Sequence, residues 1–158
     1  MNDQVARILE QLIGIPCSWK EAGHARSLTI GFGAEVGSPL NLSGKTHREW
    51  EIVTYYNAWR IVRAGVVLCG SQDAVDSVDE LNASLGRVDL GRFLSLRQVT
   101  DLDVRIEFDS GVSVDLLATT SDDDECFHIR GPAERLVKFS VRGGWRTGRS
   151  DSPWLEST

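Results

Sequence analysis

Residues 101–118 alternate apolar and polar side chains on both sides of a single turn. The apolar positions are Leu102, Val104, Ile106, Phe108, Val112, Val114 and Leu116, and Asp109-Ser110-Gly111 supplies the turn between them. A period of two around a glycine-containing turn is typical of a β-hairpin with one buried and one solvated face. This pattern therefore predicts a protein built on β-sheet, and it carries no motif for a reaction.

The rest of the chain adds two short helices and several extended segments. Val5, Ile8, Leu9 and Leu12 recur at helical spacing, with Asn2 or Asp3 as a cap and Gly14 as a stop. Ser77 and Glu80 form a capping box that predicts a short helix near residues 78–85. Extended segments are predicted at 27–33, 49–56, 59–63, 66–69, 88–99, 126–130 and 136–142. Together they predict an α+β fold with a mostly antiparallel, meander-like sheet of roughly seven to nine strands.

The chain has 158 residues and shows no internal repeat or linker, so we expect a single domain over residues 1–145. Residues 146–158 are expected to form a poorly ordered C-terminal tail, with Trp154 as a late anchor. The segment from Ala34 to Thr46 is rich in Gly, Ser, Asn and Pro and predicts an exposed loop.

The formal net charge of −6 argues against nucleic-acid binding, which needs a basic footprint to release phosphate counterions. No apolar run approaches the roughly 20 residues of a membrane span. Met1 to Gln4 lack the positive and apolar regions of a signal peptide. The three cysteines are odd in number and widely scattered, so we expect reduced thiols and a cytoplasmic location.

Motifs for metal binding and catalysis are missing from the sequence. His24, His47 and His128 with the three cysteines lack the close spacing of zinc ligands. There is no nucleophile elbow and no phosphate-binding loop. Cys126 and His128 lie two apart on a predicted strand and would share a face, but no third, orienting group is evident. We therefore expect no enzyme activity, no cofactor and no metal site.

The sharpest local charge feature is the acidic run Asp122, Asp123, Asp124 and Glu125. It predicts either a surface for a basic protein partner or a solvated hairpin turn, since a calcium loop would need a different spacing. A second acidic cluster, formed by Asp73, Asp76, Asp79 and Glu80, is explained by capping of the second helix. If the two clusters lay on one side of the sheet, they would form a coherent negative surface.

Aromatic residues are the second candidate feature, because exposed aromatic and arginine side chains often anchor interfaces. Trp50 is expected to pack inward with Ile52. Tyr55 and Tyr56 should point to opposite faces, and we assign Tyr56 to the partner-binding surface. Trp19, placed in a predicted loop between polar residues, is a further candidate anchor.

Three stretches resemble a group of small, poorly characterised bacterial proteins. They are Leu28 to Gly33; Trp50-Glu51-Ile52 with Trp59-Arg60-Ile61 and Val67 to Asp73; and Leu85-Gly86-Arg87-Val88 leading to residues 101–111. The resemblance covers roughly residues 12–139, and the acidic run replaces the more usual polar turn. Some proteins of this kind are immunity partners of polymorphic or contact-dependent toxins. The resemblance thus implies an immunity role and carries over no catalytic residue.

The leading hypothesis is a non-enzymatic, cytoplasmic immunity protein that occludes the basic active site of a toxin. Its partner-binding residues would be Asp122, Asp123, Asp124 and Glu125, together with Tyr56. The alternative is a small-ligand or regulatory module whose curved sheet forms an apolar pocket lined by Trp50, Trp59 and Phe108. A third hypothesis is self-assembly through an unprotected edge strand, and the sequence leaves the oligomeric state open.

Overall fold

The computed structural model describes residues 1–37, 46–55 and 57–152, and within these ranges it contains two α-helices and eleven strands. The helices are α1 (Asp3–Glu10) and α2 (Val78–Gly86). The strands are β1 (Cys17–Ala22), β2 (Leu28–Gly37), β3 (Thr46–Thr54), β4 (Asn57–Arg63), β5 (Val66–Gly70), β6 (Phe93–Gln98), β7 (Val104–Phe108), β8 (Val112–Ala118), β9 (Glu125–Gly131), β10 (Arg135–Ser140) and β11 (Gly144–Arg149). Every strand pairing is antiparallel, which confirms the α+β class.

The strands form two sheets, so the prediction of one meander-like sheet of roughly seven to nine strands was wrong. The first sheet has the order β1-β2-β3-β9-β10-β11, and the second has the order β5-β4-β8-β7-β6. The chain changes sheet between β3 and β4 and returns between β8 and β9. As a result, the centre of the first sheet pairs Glu51 with Arg130, which are 79 positions apart. Alternation shows which face of a strand is buried and says nothing about which strand lies beside it.

The predicted hairpin is confirmed as β7 and β8. Ile106 lies opposite Val114, and both are fully buried. Gly111 has a φ of 81°, a left-handed conformation that glycine adopts without steric cost at this turn. Leu102 is the exception, because it precedes β7 and is exposed.

The strands of the two sheets cross steeply over a shared core. Phe93 at the start of β6 packs edge-on against Phe32 on β2, with ring centroids 5.8 Å apart. At the end of β6, Gln98 accepts a hydrogen bond from Trp145 Nε1 on β11, at 3.3 Å. Strand β6 therefore passes beneath the first sheet from β2 to β11, as in orthogonal sheet packing.

Both helices close an edge of the first sheet. The N-cap of helix α1 is Asn2, whose side chain accepts a hydrogen bond from the Val5 N–H, and the helix packs beside β11. The N-cap of helix α2 is Ser77, as predicted, and this helix contacts β1 and β5. The Asn82 side chain of α2 exchanges two hydrogen bonds with the backbone of Ala22, at 2.7 and 2.9 Å. Asn82 thereby satisfies an N–H and a C=O group of the edge strand β1 that would otherwise lack a hydrogen-bond partner in the sheet.

Residues 146–149 were expected to lie in a poorly ordered C-terminal tail. They belong to β11, which pairs with β10 along its whole length. Trp145 holds this strand in place, because its ring packs on Phe139 at 4.9 Å and on Phe127 at 5.6 Å. The strand is rich in Gly and Arg and has little apolar alternation, so its sequence gave a weak signal. Trp154 lies outside the described residues, as do residues 38–45 of the predicted loop, whereas residues 34–37 extend β2.

Candidate functional site

The acidic run lies where the chain returns from the second sheet to the first, and the structure divides it into two kinds of carboxylate. Asp122, Asp123 and Asp124 are in the link before β9, and Glu125 is the first residue of that strand. Asp122 and Asp124 are exposed and form no ion pair with any described residue. The nearest polar side-chain contact of Asp122 is the Thr120 hydroxyl, at 3.5 Å. These two carboxylates are therefore available to a partner.

Asp123 instead fixes the link to the turn between β10 and β11. Its Oδ1 accepts hydrogen bonds from the backbone N–H groups of Arg142 and Gly143, each at 3.0 Å. A hydrogen bond from the Ser140 hydroxyl and those two N–H groups lower the pKa of Asp123 below its usual value. Asp123 thus holds its neighbours in place, and its predicted partner-binding role stays a prediction.

Glu125 is also engaged within the protein. Its Oε1 lies 2.6 Å from His128 Nδ1, and its Oε2 lies 3.0 Å from Lys138 Nζ. Burial favours the neutral acid, but the contacts with His128 and Lys138 outweigh it, so the pKa of Glu125 is lowered. The negative charge of Glu125 is compensated locally, whereas Asp123 keeps its charge while its Oδ1 accepts backbone hydrogen bonds, so Asp122 and Asp124 are the carboxylates of the run without such contacts.

An exposed tyrosine stands beside the run. The Tyr55 N–H donates to the carbonyl of Cys126 at 2.8 Å, which places Tyr55 next to the start of β9. Its side chain is 48 % exposed, and its ring lies 5.3 Å from the ring of His128. Partial burial, and then the charge of Glu125, raise the pKa of the Tyr55 hydroxyl, which therefore stays a neutral donor at pH 7. Tyr56, the tyrosine assigned from the sequence, lies outside the described residues.

Sequence reasoning weighed Tyr55 and His128 without assigning either to the partner-binding surface, and it did not consider Lys138. A signal for Tyr55 was present, because Trp50, Ile52 and Thr54 are all buried and period two then turns Tyr55 to the outer face. His128 lies on β9 itself, three residues after Glu125, whereas Lys138 meets Glu125 only through the pairing of β9 with β10.

The second acidic cluster is separate from the first. Asp79 and Glu80 lie in the first turn of α2, where negative charge stabilises the helix, as expected. Helix α2 adjoins β1, whereas the acidic run leads into β9, three strands away in the first sheet. Three strand spacings amount to about 14 Å, so the two clusters lie at one end of the sheet without forming a single patch.

Trp19 belongs to β1, not to a loop, and it is exposed on the outer face of the first sheet. It shares this face with Glu51 through the pairing of both residues with Gly31. The guanidinium carbon of Arg48 lies 5.3 Å from the centre of the Trp19 ring, within the range of a cation–π contact. The outer face of the first sheet thus carries two exposed aromatic side chains, Trp19 and Tyr55.

Four residues considered for catalysis or ligand binding are part of the core, namely Cys126, Trp50, Trp59 and Phe108. The Cys126 thiol is buried while His128 lies on the outer face, because Cys126 is the extra residue of a β-bulge. Trp50, Trp59 and Phe108, which the alternative hypothesis places around an apolar pocket, pack in the core shared by the two sheets. The described residues contain no group of three His, Cys, Asp or Glu residues that could hold a metal ion.

The fold and surface together define an antiparallel two-sheet α+β protein with free carboxylates and exposed aromatic residues near one end of its larger sheet. Neither helix in the described part of the chain has the length and apolar character needed to cross a membrane. Comparison with protein-family models, with curated proteins and with solved structures found no match to this chain.

Proposed function

We propose that this chain is a non-enzymatic, cytoplasmic binding protein of the immunity type, which neutralises a bacterial toxin by occluding its basic active site. The observation that carries the proposal is the placement of Asp122 and Asp124, free of ion pairs with described residues, beside the half-exposed Tyr55. Cys17, Cys69 and Cys126 are free thiols, which fits a reducing compartment.

The geometry favours binding because the charged link is held in place before a partner arrives. Asp123 ties the link to the β10–β11 turn, and Arg142 Nη2 also donates to the carbonyl of Ser121 at 3.2 Å. A held loop loses less conformational entropy on binding than a free one. Asp122 and Asp124 would speed association with a basic cleft, while burial of Tyr55 would slow release.

The test uses the C-terminal domain of a secreted protein encoded by the neighbouring gene. Association rates are measured by stopped flow between 50 and 500 mM NaCl, a range of roughly 14 to 4 Å in screening length. The variant Asp122→Lys with Asp124→Lys should lower the association rate about tenfold at low salt and flatten its salt dependence. Tyr55→Ala should mainly raise the dissociation rate, by about 5- to 30-fold.

A matched control changes the same net charge elsewhere. Glu10→Lys with Asp76→Lys alters two exposed carboxylates, one at the end of α1 and one just before α2, so it measures the effect of total charge alone. The control should lower the association rate by much less than the double variant in the link. Equal effects of the two variants, or an unchanged rate in both, would contradict the proposed role of the acidic run. A neighbouring gene that encodes no such domain would count against the immunity assignment.

A further inference from the structure

We infer that a cleft beside Trp19 binds a basic side chain, a guanidinium or ammonium group, of the protein partner. The cleft opens on the outer face of the first sheet and has a volume of about 270 Å³. The side chains that the inference uses are those of Trp19, Glu21, Thr29, Arg48 and Glu51, from three neighbouring strands. The identity of the partner rests on the proposed function, whereas the cationic character of the bound side chain is argued from the cleft itself.

The Trp19 indole forms the aromatic wall of the cleft, and the absence of a side chain at Gly31 lets Arg48 hold the indole in place. Gly31 lies between Trp19 and Glu51 on the middle strand. A Cβ at Gly31 would come within 2.5 Å of Arg48 Cγ and 3.0 Å of Trp19 Cβ. The bare backbone therefore lets the Arg48 stem lie across the strand and support the indole, which stays 44 % exposed. An exposed indole that is already held in place loses little freedom when a ligand covers it.

The charges around the indole favour a cation. Arg48 Nη1 is 3.7 Å from Glu35 Oε1, and Arg130 Nη2 is 2.8 Å from Glu51 Oε1, so both arginines already face a carboxylate. Glu21 lies two residues after Trp19 on β1, is exposed, and has no ion pair with any described residue. Among the described residues, the three carboxylates of Glu21, Glu35 and Glu51 exceed the two guanidinium groups by one. A cation over the indole would gain both this negative charge and the electron-rich ring face.

Size and position fit a side chain of a protein. A cleft of this volume has room for one lysine or arginine side chain. Trp19 and Tyr55 lie on the same outer face, two strands and four residues apart along the pairing, which is about 16 Å. A partner that covers about 800 Å² reaches both positions at once. The cleft would therefore take a basic residue of the domain that meets Asp122 and Asp124.

The first experiment does not need the toxin. Nα-acetyl-arginine amide is titrated into the 15N-labelled protein, and the indole N–H signal of Trp19, assigned through Trp19→Phe, is followed by NMR. We expect saturable shifts with a dissociation constant of roughly 1 to 10 mM. Nα-acetyl-citrulline amide, which has nearly the same shape without the charge, should cause no saturable shift. Glu21→Gln should weaken arginine-amide binding about threefold, and Tyr55→Ala should leave it unchanged.

Three results would overturn the inference: no saturable shift with the arginine amide, equal binding of the citrulline amide, or tighter binding of Nα-acetyl-glutamate amide through Arg48. Trp19→Leu then tests the assignment to the partner, and it should raise the dissociation rate of the toxin complex about fivefold or more. An unchanged rate would refute that assignment. The proposed function is judged separately, because its test depends on Asp122 and Asp124 and leaves Trp19 intact.

Discussion

Replacing Asp115 with asparagine should destabilise the protein, because it removes a buried negative charge. Asp115 lies on the outer face of β8 and is only 3 % exposed. Its carboxylate accepts hydrogen bonds from Arg60 Nε at 2.8 Å, from Arg105 Nε at 2.6 Å and from Arg105 Nη2 at 3.0 Å. The residue therefore joins β4, β8 and β7 through one buried charge.

The size of the effect follows from these contacts. A hydrogen bond to a charged group stabilises by about 1.5 to 3 kcal/mol, and asparagine keeps one acceptor oxygen but loses the charge. Removing one partner of a fully buried ion pair costs about 3 to 5 kcal/mol. The side chains of Arg60 and Arg105 are 46 % and 30 % exposed, so they regain water when the carboxylate is lost. We therefore expect Asp115→Asn to lower the free energy of unfolding by about 2 to 3 kcal/mol.

Urea denaturation at pH 7 measures this change, and the melting temperature should fall by roughly 4 to 12 °C. Burial opposes ionisation of Asp115, but the hydrogen bonds from Arg105 and Arg60 outweigh it and lower its pKa. The stabilisation is therefore present above the unfolded pKa of about 3.9 and is lost as the pH falls through the lower folded value. The difference between wild type and variant should shrink below about pH 4.

Glu107→Gln is the matched control on the same sheet face. Glu107 lies 3.4 Å from Arg97 in an exposed pair, so its loss should change stability by less than about 0.5 kcal/mol. If Asp115→Asn costs no more than this control, the carboxylate behaves as an exposed charge and the argument from its burial fails.

Three further predictions concern single side chains. Gly131→Ala should destabilise by about 1 to 3 kcal/mol, because the new Cβ would come within 2.5 to 2.8 Å of the buried Trp50 ring; Gly86→Ala, with open space around it, should be neutral or slightly stabilising in the same denaturation assay. Glu125→Gln should lower the free energy of unfolding at pH 7 and have little effect at low pH. The pKa of Glu125 is lowered in the folded protein, so its stabilisation is present above the unfolded pKa and is lost as the pH falls through the folded one. An equal difference in unfolding free energy between variant and wild type at pH 7 and pH 3, measured by urea titration, would contradict this. Burial raises the pKa of the Cys69 thiol to about 11, so iodoacetamide at pH 8 should label Cys69 only after unfolding, as read by mass spectrometry.

The elements of this fold were largely predictable because their signals are local. The alternation around Gly111 and the caps at Asn2 and Ser77 each depend on a few neighbouring residues, and the structure confirms them. The division into two sheets depends on which strands pair, and the pairing of β3 with β9 joins segments that no local pattern connects. The same alternation fits one long sheet or two shorter ones, so the sequence could not decide between them.

The acidic run was evident from the sequence, but the contacts that distinguish its four carboxylates were not, and the reason is the same non-local pairing. Asp123 and Glu125 reach groups on β10 and its following turn, whereas no hydrogen bond or ion pair joins Asp122 or Asp124 to that strand within the described part of the chain. The sequence shows four equivalent carboxylates, because Lys138 becomes the partner of Glu125 only after β9 and β10 have paired. Substituting either engaged residue should therefore act on binding through stability, and substituting either exposed one should act on the association rate alone. An acidic run that leads into a strand thus contains both engaged and exposed carboxylates when the neighbouring strand presents basic side chains and backbone N–H groups to part of the run.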